Sequence, residues 1–277
     1  MKHQVYSWRT KDGLELFAQS WMTEGKPKAV IALLHGLGDH SGRYPRLVEL
    51  LPAAGYAVAA YDMRGHGRSG GPRGHAASYD TLMDDVDRHL ADTRARFPGL
   101  PTILYGHSFG GAQALCYCLK RTPAGIRAVV ASAPGLGSGV RQGPGKILMA
   151  RLLSRVVPTL RIPLGSPPGS LSHDPAWLKT TAEDPLFETT FSVRLGMEML
   201  RANEWVLGHT SFPLPLLLMQ GTEDRHVDAE QNIGFAQRLS GDVTLKVWQG
   251  FGHELHNDVE RDTAIQYMRQ WLDAHLG

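Results

Sequence analysis

The sequence predicts an α/β protein in which helices cover both faces of a mostly parallel central sheet. Two observations support this fold class. Short, continuously apolar runs recur along the chain, as expected for strands that are buried on both faces. Helical stretches separate these runs, and strands that alternate with helices usually pair in parallel. The chain has 277 residues, of which 42% are hydrophobic, so it can bury the core of one large α/β domain.

The core elements follow from this pattern. A turn at residues 11–13 (KDG) separates two short alternating segments, which indicates antiparallel strands before residue 29. Further strands are predicted at Ala29–Leu34, Tyr56–Tyr61, Thr102–Tyr105, Ala128–Ala131, Leu214–Met219 and Thr244–Trp248. Helices are predicted at Tyr44–Ala53, Tyr79–Arg96, Ser108–Arg121, Asp228–Leu239 and Glu254–Leu276.

Residues 135–205 interrupt the alternation. No strand is predicted there, and seven prolines and many glycines surround helical pieces. A structureless loop of this length is uncommon inside a compact domain. We therefore predict a helical cap at 135–205, inserted into an α/β core of residues 1–134 and 206–277. The clearest cap helix is Lys146–Val157, with Ile147, Leu148, Leu152 and Val156 on an apolar stripe and Arg151 and Arg155 on the other side.

Composition excludes several other classes of protein. The formal net charge is only +2, which gives no electrostatic footprint for nucleic acid. No apolar run approaches the length of a membrane-spanning helix, and the N-terminus lacks the apolar segment of a secretory signal. Cys116 and Cys118 are two residues apart and point in different directions on a helix, so neither a disulfide nor a metal site is expected. We expect a soluble protein of the reducing cytoplasm and make no prediction of its oligomeric state.

The motif G-x-S-x-G at residues 106–110 predicts a nucleophile at Ser108. It follows the apolar strand at 102–105 and begins a helix rich in small residues, which is the context of a nucleophile elbow. Such a sharp turn strains the serine backbone and needs glycines where side chains would clash. The helix N-terminus supplies positive dipole and unpaired N–H groups near a developing oxyanion.

The stretch HGLG at residues 35–38 directly follows the strand Ala29–Leu34. In a hydrolase of this type, the backbone N–H after His-Gly and the N–H after the nucleophile form the oxyanion hole. These donors are the amides of Leu37 and Phe109. We expect His35 itself to be a structural hydrogen-bonding residue.

The acid and the base of the triad are expected after Ser108, in the order Ser, Asp or Glu, His. The strand at 214–219 leads into a loop that contains Glu223 and Asp224, and we favour Asp224. Asp228 begins the next helix and is expected to act as its N-cap.

For the base we favour His253, in the glycine loop after the last strand. His256 lies one helical turn further and is expected on the surface of the last helix. His253 would take the Ser108 proton, Asp224 would orient the imidazole, and water would hydrolyse the acyl-enzyme without a metal or organic cofactor.

With these residues placed, the chain resembles the monoglyceride lipase and lysophospholipase group of α/β-hydrolases, which is related to the serine aminopeptidases. The resemblance is carried by HGLGDHSGRY at 35–44, DMRGHGRS at 62–69, GHSFGG at 106–111, GTED at 221–224 and GHELH at 252–256. It covers the chain apart from the cap. It implies a triad of Ser108, Asp224 and His253, with Leu37 and Phe109 as oxyanion donors. It also implies that Arg64 and His66 belong to a structural turn.

The resemblance implies a small-molecule ester as substrate, and a monoacylglycerol above all. We expect the apolar stripe of the cap helix to line a tunnel for a medium or long acyl chain, or the basic side of that helix to contact a lipid surface transiently. The remaining possibility is that this helix only packs on the core.

Three other functions stay open from the sequence. A short-chain carboxylesterase would use the same triad. A proline-type aminopeptidase would need a carboxylate pocket, for which Glu183, Asp184 and Glu188 are candidates. A non-catalytic binding protein could share the fold.

Overall fold

The computed structural model of the chain describes residues 1–121, 125–137, 143–165 and 168–276. The strands of its central sheet are β1 (Lys2–Arg9), β2 (Glu15–Met22), β3 (Ala29–Leu34), β4 (Tyr56–Tyr61), β5 (Thr102–His107), β6 (Ile126–Ser132), β9 (Leu216–Gly221) and β10 (Val243–Trp248), and a separate two-stranded sheet pairs β7 (Arg161–Pro163) with β8 (Thr190–Ser192). The central order is β1-β2-β4-β3-β5-β6-β9-β10. Its first two pairings, β1 with β2 and β2 with β4, are antiparallel, and the remaining pairings are parallel.

Helices cover the two faces of this sheet. They are α1 (Pro45–Ala53), α2 (Tyr79–Arg96), α3 (Phe109–Lys120), α4 (Pro144–Val156), α5 (Pro175–Glu183), α6 (Val193–Leu207), α7 (Ala229–Arg238) and α8 (Arg261–Leu276). Successive residues of β3 enter opposite cores, because side chains alternate along a strand. Ile31 and Leu33 pack with residues of α1 and α8, whereas Ala32 and Leu34 pack with residues of α2, α3, α6 and α7. The predicted fold class is confirmed.

Most predicted elements are present within one or two residues, and β3, β4 and α2 have the predicted bounds. The predicted start of the last helix at Glu254 is wrong, because α8 begins at Arg261. The Asp258 carboxylate accepts hydrogen bonds from the amides of Gly252, His173 and Val259, and thereby holds residues 252–259 as a loop. The short strands β7 and β8 were also not predicted, since three residues are too few to show a periodicity.

The segment between β6 and β9 contains α4, β7, α5, β8 and α6. It begins where β6 ends, at the edge of the sheet that carries the ends of the parallel strands. In the part of the chain that is described, no helix combines the length and apolar character needed to cross a bilayer. Asp228 caps α7 by accepting a hydrogen bond from the amide of Gln231, as predicted.

Several histidines lie in the interior in the neutral form. Burial lowers the pKa of His35 to about 4, and it lowers the pKa of His66 and of His89 to about 3. His35 acts structurally, because its Nε2 accepts a hydrogen bond from the amide of Met63 at 2.8 Å. His89 packs its ring against Tyr61 at a centroid separation of 4.7 Å. Unfolding restores an ordinary pKa to each imidazole.

These histidines make the fold sensitive to acid. Each has a lower pKa in the folded than in the unfolded state, so the unfolded chain binds more protons below about pH 6.5. The free energy of unfolding should fall by about 1.4 kcal/mol per pH unit for each such histidine between about pH 6 and pH 4. Urea titrations at a series of pH values measure this slope. His89→Leu should reduce the slope of the free energy of unfolding against pH by the contribution of one histidine. An unchanged slope in that variant would contradict the explanation.

Candidate active site

Ser108 occupies the turn between β5 and α3 with φ 52° and ψ −118°, a left-handed conformation that is uncommon outside glycine. Its amide donates to Ser132 O at 2.9 Å and its carbonyl accepts from Gly135 N at 2.8 Å, which fixes the turn to the end of β6. A Cβ at Gly106 would lie 2.2 Å from the carbonyl oxygen of Gly110. The turn therefore requires glycine at position 106, and its geometry leaves the Ser108 side chain on the wall of a cavity.

The amides of Leu37 and Phe109 lie in the two segments that meet at this turn. Leu37 follows β3 and Phe109 begins α3, and both residues line the same cavity as Ser108. Among the described residues, neither amide donates a hydrogen bond to a protein group. A Cβ at Gly36 would lie 3.4 Å from Cβ of Ser108, so the loop after β3 passes very close to the serine. Two free donors beside a serine side chain are what an oxyanion hole requires.

Asp224 and His253 form a buried pair. Nδ1 of His253 lies 2.8 Å from Oδ2 of Asp224, and the two side chains are 4% and 0% exposed. The other oxygen of Asp224 accepts from the amides of His226 and Val227, at 2.8 and 3.1 Å. Glu223 instead lies 3.2 Å from His173, outside the cavity wall. The structure thus brings His253 to Asp224 rather than to Glu223.

The pair is electrostatically tuned. Burial raises the pKa of the Asp224 carboxyl, but the charge and hydrogen bond of His253 and the two amides outweigh it and lower this pKa to about 2. Burial lowers the pKa of His253, but the Asp224 carboxylate outweighs it and raises this pKa above the ordinary value. A carboxylate that stabilises the protonated imidazole suits a base that must accept a proton during a reaction.

The His253 ring has two imidazole neighbours, His226 and His107, to which the sequence pattern assigns no role. His226 stacks on it with ring centroids 4.9 Å apart and an interplanar angle of 22°. His107 approaches with centroids 4.8 Å apart and an angle of 53°. Burial lowers the pKa of both neighbours, to about 4 for His226. Their positions, next to Ser108 and two residues after Asp224, are the signal that could have found them.

The expected position of His256 on a helix surface is wrong. His256 is buried, precedes α8, and stacks on Tyr44 with ring centroids 4.6 Å apart. Its other ring neighbour is His107, at 4.7 Å. The residue packs inward because the loop held by Asp258 replaces the helical turn that the sequence predicts.

Arg43 joins three parts of the site. Its guanidinium is buried and lies 2.7 Å from Asp39 in the loop after β3 and 3.1 Å from Glu254, the residue next to His253. It also lies between the rings of Trp177 and Phe187, at 4.8 Å from each centroid. One cation therefore connects the proposed oxyanion loop, the histidine loop and the segment between β6 and β9.

The three acidic residues considered for an amine-binding pocket are placed differently. Asp184 pairs with His40 at 2.8 Å, and Glu188 pairs with Arg73 and Arg161. None of the three lines the cavity that contains Ser108. They thus offer no carboxylate for the free amine of a peptide substrate.

The cavity has a volume of about 1010 Å³ and runs from Ser108 and His253 into the segment between β6 and β9. Its wall is mostly apolar, and the residues from that segment include Leu153, Ile162, Leu164, Phe191, Met197 and Leu200. This volume is at the upper end of the range of about 300–1,000 Å³ that is usual for small-molecule sites.

Of the predicted apolar stripe on α4, Ile147 lines the cavity and the other three residues do not. Leu148, Leu152 and Val156 are 69%, 58% and 70% exposed and face outward. The neighbouring face of α4 lines the cavity instead, through Met149 and Leu153 among others. A helix of this composition has apolar residues on two faces, and only its packing decides which of them is turned inward.

Among the described residues, no group of three or more His, Cys, Asp or Glu side chains could hold a metal ion. The arrangement consists of a serine beside two free amides, a buried carboxylate–imidazole pair and an apolar cavity. Such groups can perform acyl transfer by nucleophilic attack.

Comparison with known proteins agrees with this chemistry. A family model described as serine aminopeptidase, S33, matches residues 25–260. The chain is 33% identical over 267 residues to monoglyceride lipase of Homo sapiens, covering 94% of this chain and 88% of that protein. It is 30% identical to an uncharacterized abhydrolase domain-containing protein of Dictyostelium discoideum, of which it spans 30% of the length.

The crystal structure of a monoacylglycerol lipase from Paleococcus ferrophilus has the same fold. The two structures superpose with a TM-score of 0.85 and 33% sequence identity, over 94% of this chain and 99% of that one.

Replacement of Arg43 tests how much the buried junction contributes to stability. Arg43→Met leaves Asp39 and Glu254 buried without their cation, so we expect the free energy of unfolding to fall by about 3–5 kcal/mol. Arg46→Met is the matched control, since Arg46 forms only surface ion pairs with Glu49 and Asp262. It should lower the free energy of unfolding far less than Arg43→Met does, because solvent screens exposed ion pairs. Equal losses in the two variants, measured by urea denaturation, would contradict the central role of Arg43.

Proposed function

Because the chain belongs to the serine aminopeptidase S33 family of α/β-hydrolases and is a carboxylic ester hydrolase, we propose that it cleaves monoacylglycerols through Ser108, His253 and Asp224. The observation that carries the proposal is the cavity. A large apolar cavity is lined by the serine, by the two residues with free amides and by the imidazole that pairs with Asp224. This combination suits an ester with one long acyl chain.

The proposed reaction begins when Ser108 Oγ attacks the ester carbonyl carbon and His253 accepts the serine proton at Nε2. Asp224 holds Nδ1 and stabilises the imidazolium. The amides of Leu37 and Phe109 donate to the oxyanion. His253 then gives its proton to the departing glycerol oxygen. A water molecule, deprotonated by His253, then attacks the acyl carbon. The bond between that carbon and Ser108 Oγ breaks as His253 returns the proton to Oγ, which releases the fatty acid and restores the enzyme.

The size of the cavity separates this proposal from its nearest alternative, a short-chain carboxylesterase. A short ester would fill little of a cavity of about 1010 Å³. It would gain no binding free energy from the apolar walls that it does not reach. Burial of acyl methylenes is worth about 0.8 kcal/mol each, so long chains gain the most. A lysophospholipid offers the same acyl chain with a charged head group, and is the second substrate class to be tested. The engaged carboxylates of Asp184 and Glu188 argue against an aminopeptidase.

We also propose that residues 135–205 form a cap over the core of residues 1–134 and 206–277. In that division, the cap supplies most of the apolar cavity wall. Residues 138–142 and 166–167 of it lie outside the described part of the chain.

The same cap has a surface suited to a lipid layer. Leu148, Leu152 and Val156 form an exposed apolar stripe one helical turn apart, and Arg151 and Arg155 are exposed beside it. An amphipathic surface of this kind binds the interface of anionic membranes through apolar burial and basic side chains. We propose that the protein contacts a lipid surface transiently through this stripe and through the basic side of the helix, which carries Arg151 and Arg155.

The first test is the hydrolysis of 1-monoacylglycerols, diacylglycerols, lysophosphatidylcholines and p-nitrophenyl esters over a series of acyl lengths. We expect the highest kcat/KM for monoacylglycerols with medium or long chains, because such a chain fills the apolar cavity and the glycerol head group carries no charge. Ser108→Ala should lower kcat by about 10⁶ and serves as the blank. A kcat/KM that falls steadily beyond four carbons would reduce the function to a short-chain esterase. A preference for lysophosphatidylcholine would change the substrate class.

The lipid contact is tested with the double variant Leu148→Glu/Leu152→Glu. We expect the fraction bound to vesicles of phosphatidylcholine and phosphatidylglycerol to fall at least about 10-fold. The reason is that the two leucines would no longer insert their apolar side chains into the lipid layer. Activity on a dissolved short ester should stay unchanged. Val5→Glu, an exposed apolar position on the edge strand β1, is the control and should bind as the unaltered protein does. Equal binding by the double variant and the control would refute the contact.

A further inference from the structure

The imidazole of His253 is held along its edge by Asp224, but a ring held at one atom can still swing about that bond. Two other rings pack against the His253 ring. His226 stacks nearly parallel to it, with ring centroids 4.9 Å apart and an angle of 22°. His107 covers it at 53°, from the strand end that precedes Ser108. Because the His226 ring lies nearly parallel to His253, it is the neighbour that stacks on His253 face to face.

His226 is itself fixed at two points. Its amide donates to Oδ1 of Asp224 at 2.8 Å, so the backbone is tied to the same carboxylate that holds His253. Its ring atom Nε2 forms a hydrogen bond of 2.8 Å with Ser170 Oγ. Ser170 belongs to the short 3₁₀ helix Pro168–Ser170 of the segment between β6 and β9. The ring therefore cannot turn away from His253 without breaking a contact.

The charge of His226 suits this position. Burial, reinforced by the proximity of His253, lowers the pKa of His226 to about 4, so its ring is neutral at neutral pH. During the reaction His253 becomes an imidazolium. A neutral aromatic face attracts a neighbouring cation, whereas a second imidazolium would repel it. His226 is also on the cavity wall, where a non-aromatic side chain would leave the His253 ring open to the cavity.

We propose that His226 is a positioning residue, which holds the His253 imidazole in its working orientation by stacking on it. The inference rests on the proposed function, since it takes His253 as the base that serves Ser108. Asp224 sets the direction of Nδ1, and His226 prevents rotation about that hydrogen bond, so that Nε2 keeps the orientation that the proposed proton transfer from Ser108 needs. The effect is on kcat, because orientation of the base matters in the chemical step rather than in substrate binding.

The experiment compares His226→Ala with His226→Phe. The alanine variant removes the ring, whereas the phenylalanine variant keeps an aromatic face and removes the hydrogen bond to Ser170. The control is His209→Ala, because His209 also packs on an aromatic ring, Trp205, and bonds to its carbonyl, but lies outside the cavity wall. Steady-state kinetics with a soluble ester are combined with the far-downfield proton NMR signal of the Nδ1–H between His253 and Asp224. Thermal unfolding is followed for each variant.

We expect His226→Ala to lower kcat by about 10-fold, with KM changed by less than about threefold, and to broaden the downfield signal. His226→Phe should recover kcat to within about threefold and sharpen the signal, and His209→Ala should match the unaltered enzyme. Normal kcat and signal in His226→Ala would overturn the inference. An equal defect in His226→Phe and His226→Ala would also overturn it, since stacking would then not be the cause. A fully active Ser108→Ala would instead show that the proposed function itself is wrong.

Discussion

The structure depends on one tight turn, in which Ser108 adopts a left-handed backbone between β5 and α3. The turn is possible only because glycines flank it: a Cβ at Gly106 or at Gly110 would lie 2.2 Å from a backbone oxygen. Since β5 lies in the middle of the parallel part of the sheet, the turn brings α3 against the ends of β3 and β6. The loops after β3, β9 and β10 reach the same edge, because parallel strands all end there. Sheet topology therefore brings Leu37, Ser108 and His253 to the wall of one cavity, and it places the Asp224 carboxylate against the His253 ring.

Buried charge is the second constraint on this edge. A charge removed from water is tolerated only when it is paired and hydrogen-bonded. The Asp224 carboxylate satisfies this condition with His253 and two amides, and Arg43 satisfies it with Asp39 and Glu254. Because these partners come from different loops, the pairing fixes the loops relative to one another. The segment between β6 and β9 is fixed to the loop after β3 in the same way, because Asp184 bonds to His40 and the amide of Glu188 donates to the carbonyl of Gly38. Movement of that segment would therefore displace the loop that carries the Leu37 amide, because these hydrogen bonds join the two.

The inserted segment gives the site its apolar character. Helices α4 and α6 and the strands β7 and β8 supply much of the cavity wall, whereas Asp39, Ser108, His253 and Glu254 come from outside the segment between β6 and β9. Helix α4 has apolar residues on both an inner and an outer face. Met149 and Leu153 line the cavity, while Leu148 and Leu152 remain exposed. One helix therefore presents apolar side chains to the cavity on one side and to solvent on the other, which suits both the proposed acyl substrate and the proposed lipid contact.

The sequence by itself determined the features that depend on short-range pattern. Continuous apolar runs marked the parallel strands, and glycine spacing marked the turn at Ser108, because both are consequences of local backbone geometry. The order of the loops after the strands limited the predicted acid to Glu223 or the favoured Asp224, and it favoured His253 as the predicted base. Only the tertiary structure decided the inward packing of His256, the stacking of His226 on His253 and the inward face of α4. Each of these depends on contacts between segments far apart in the chain, and neither the periodicity of a helix nor the identity of a histidine specifies its partner.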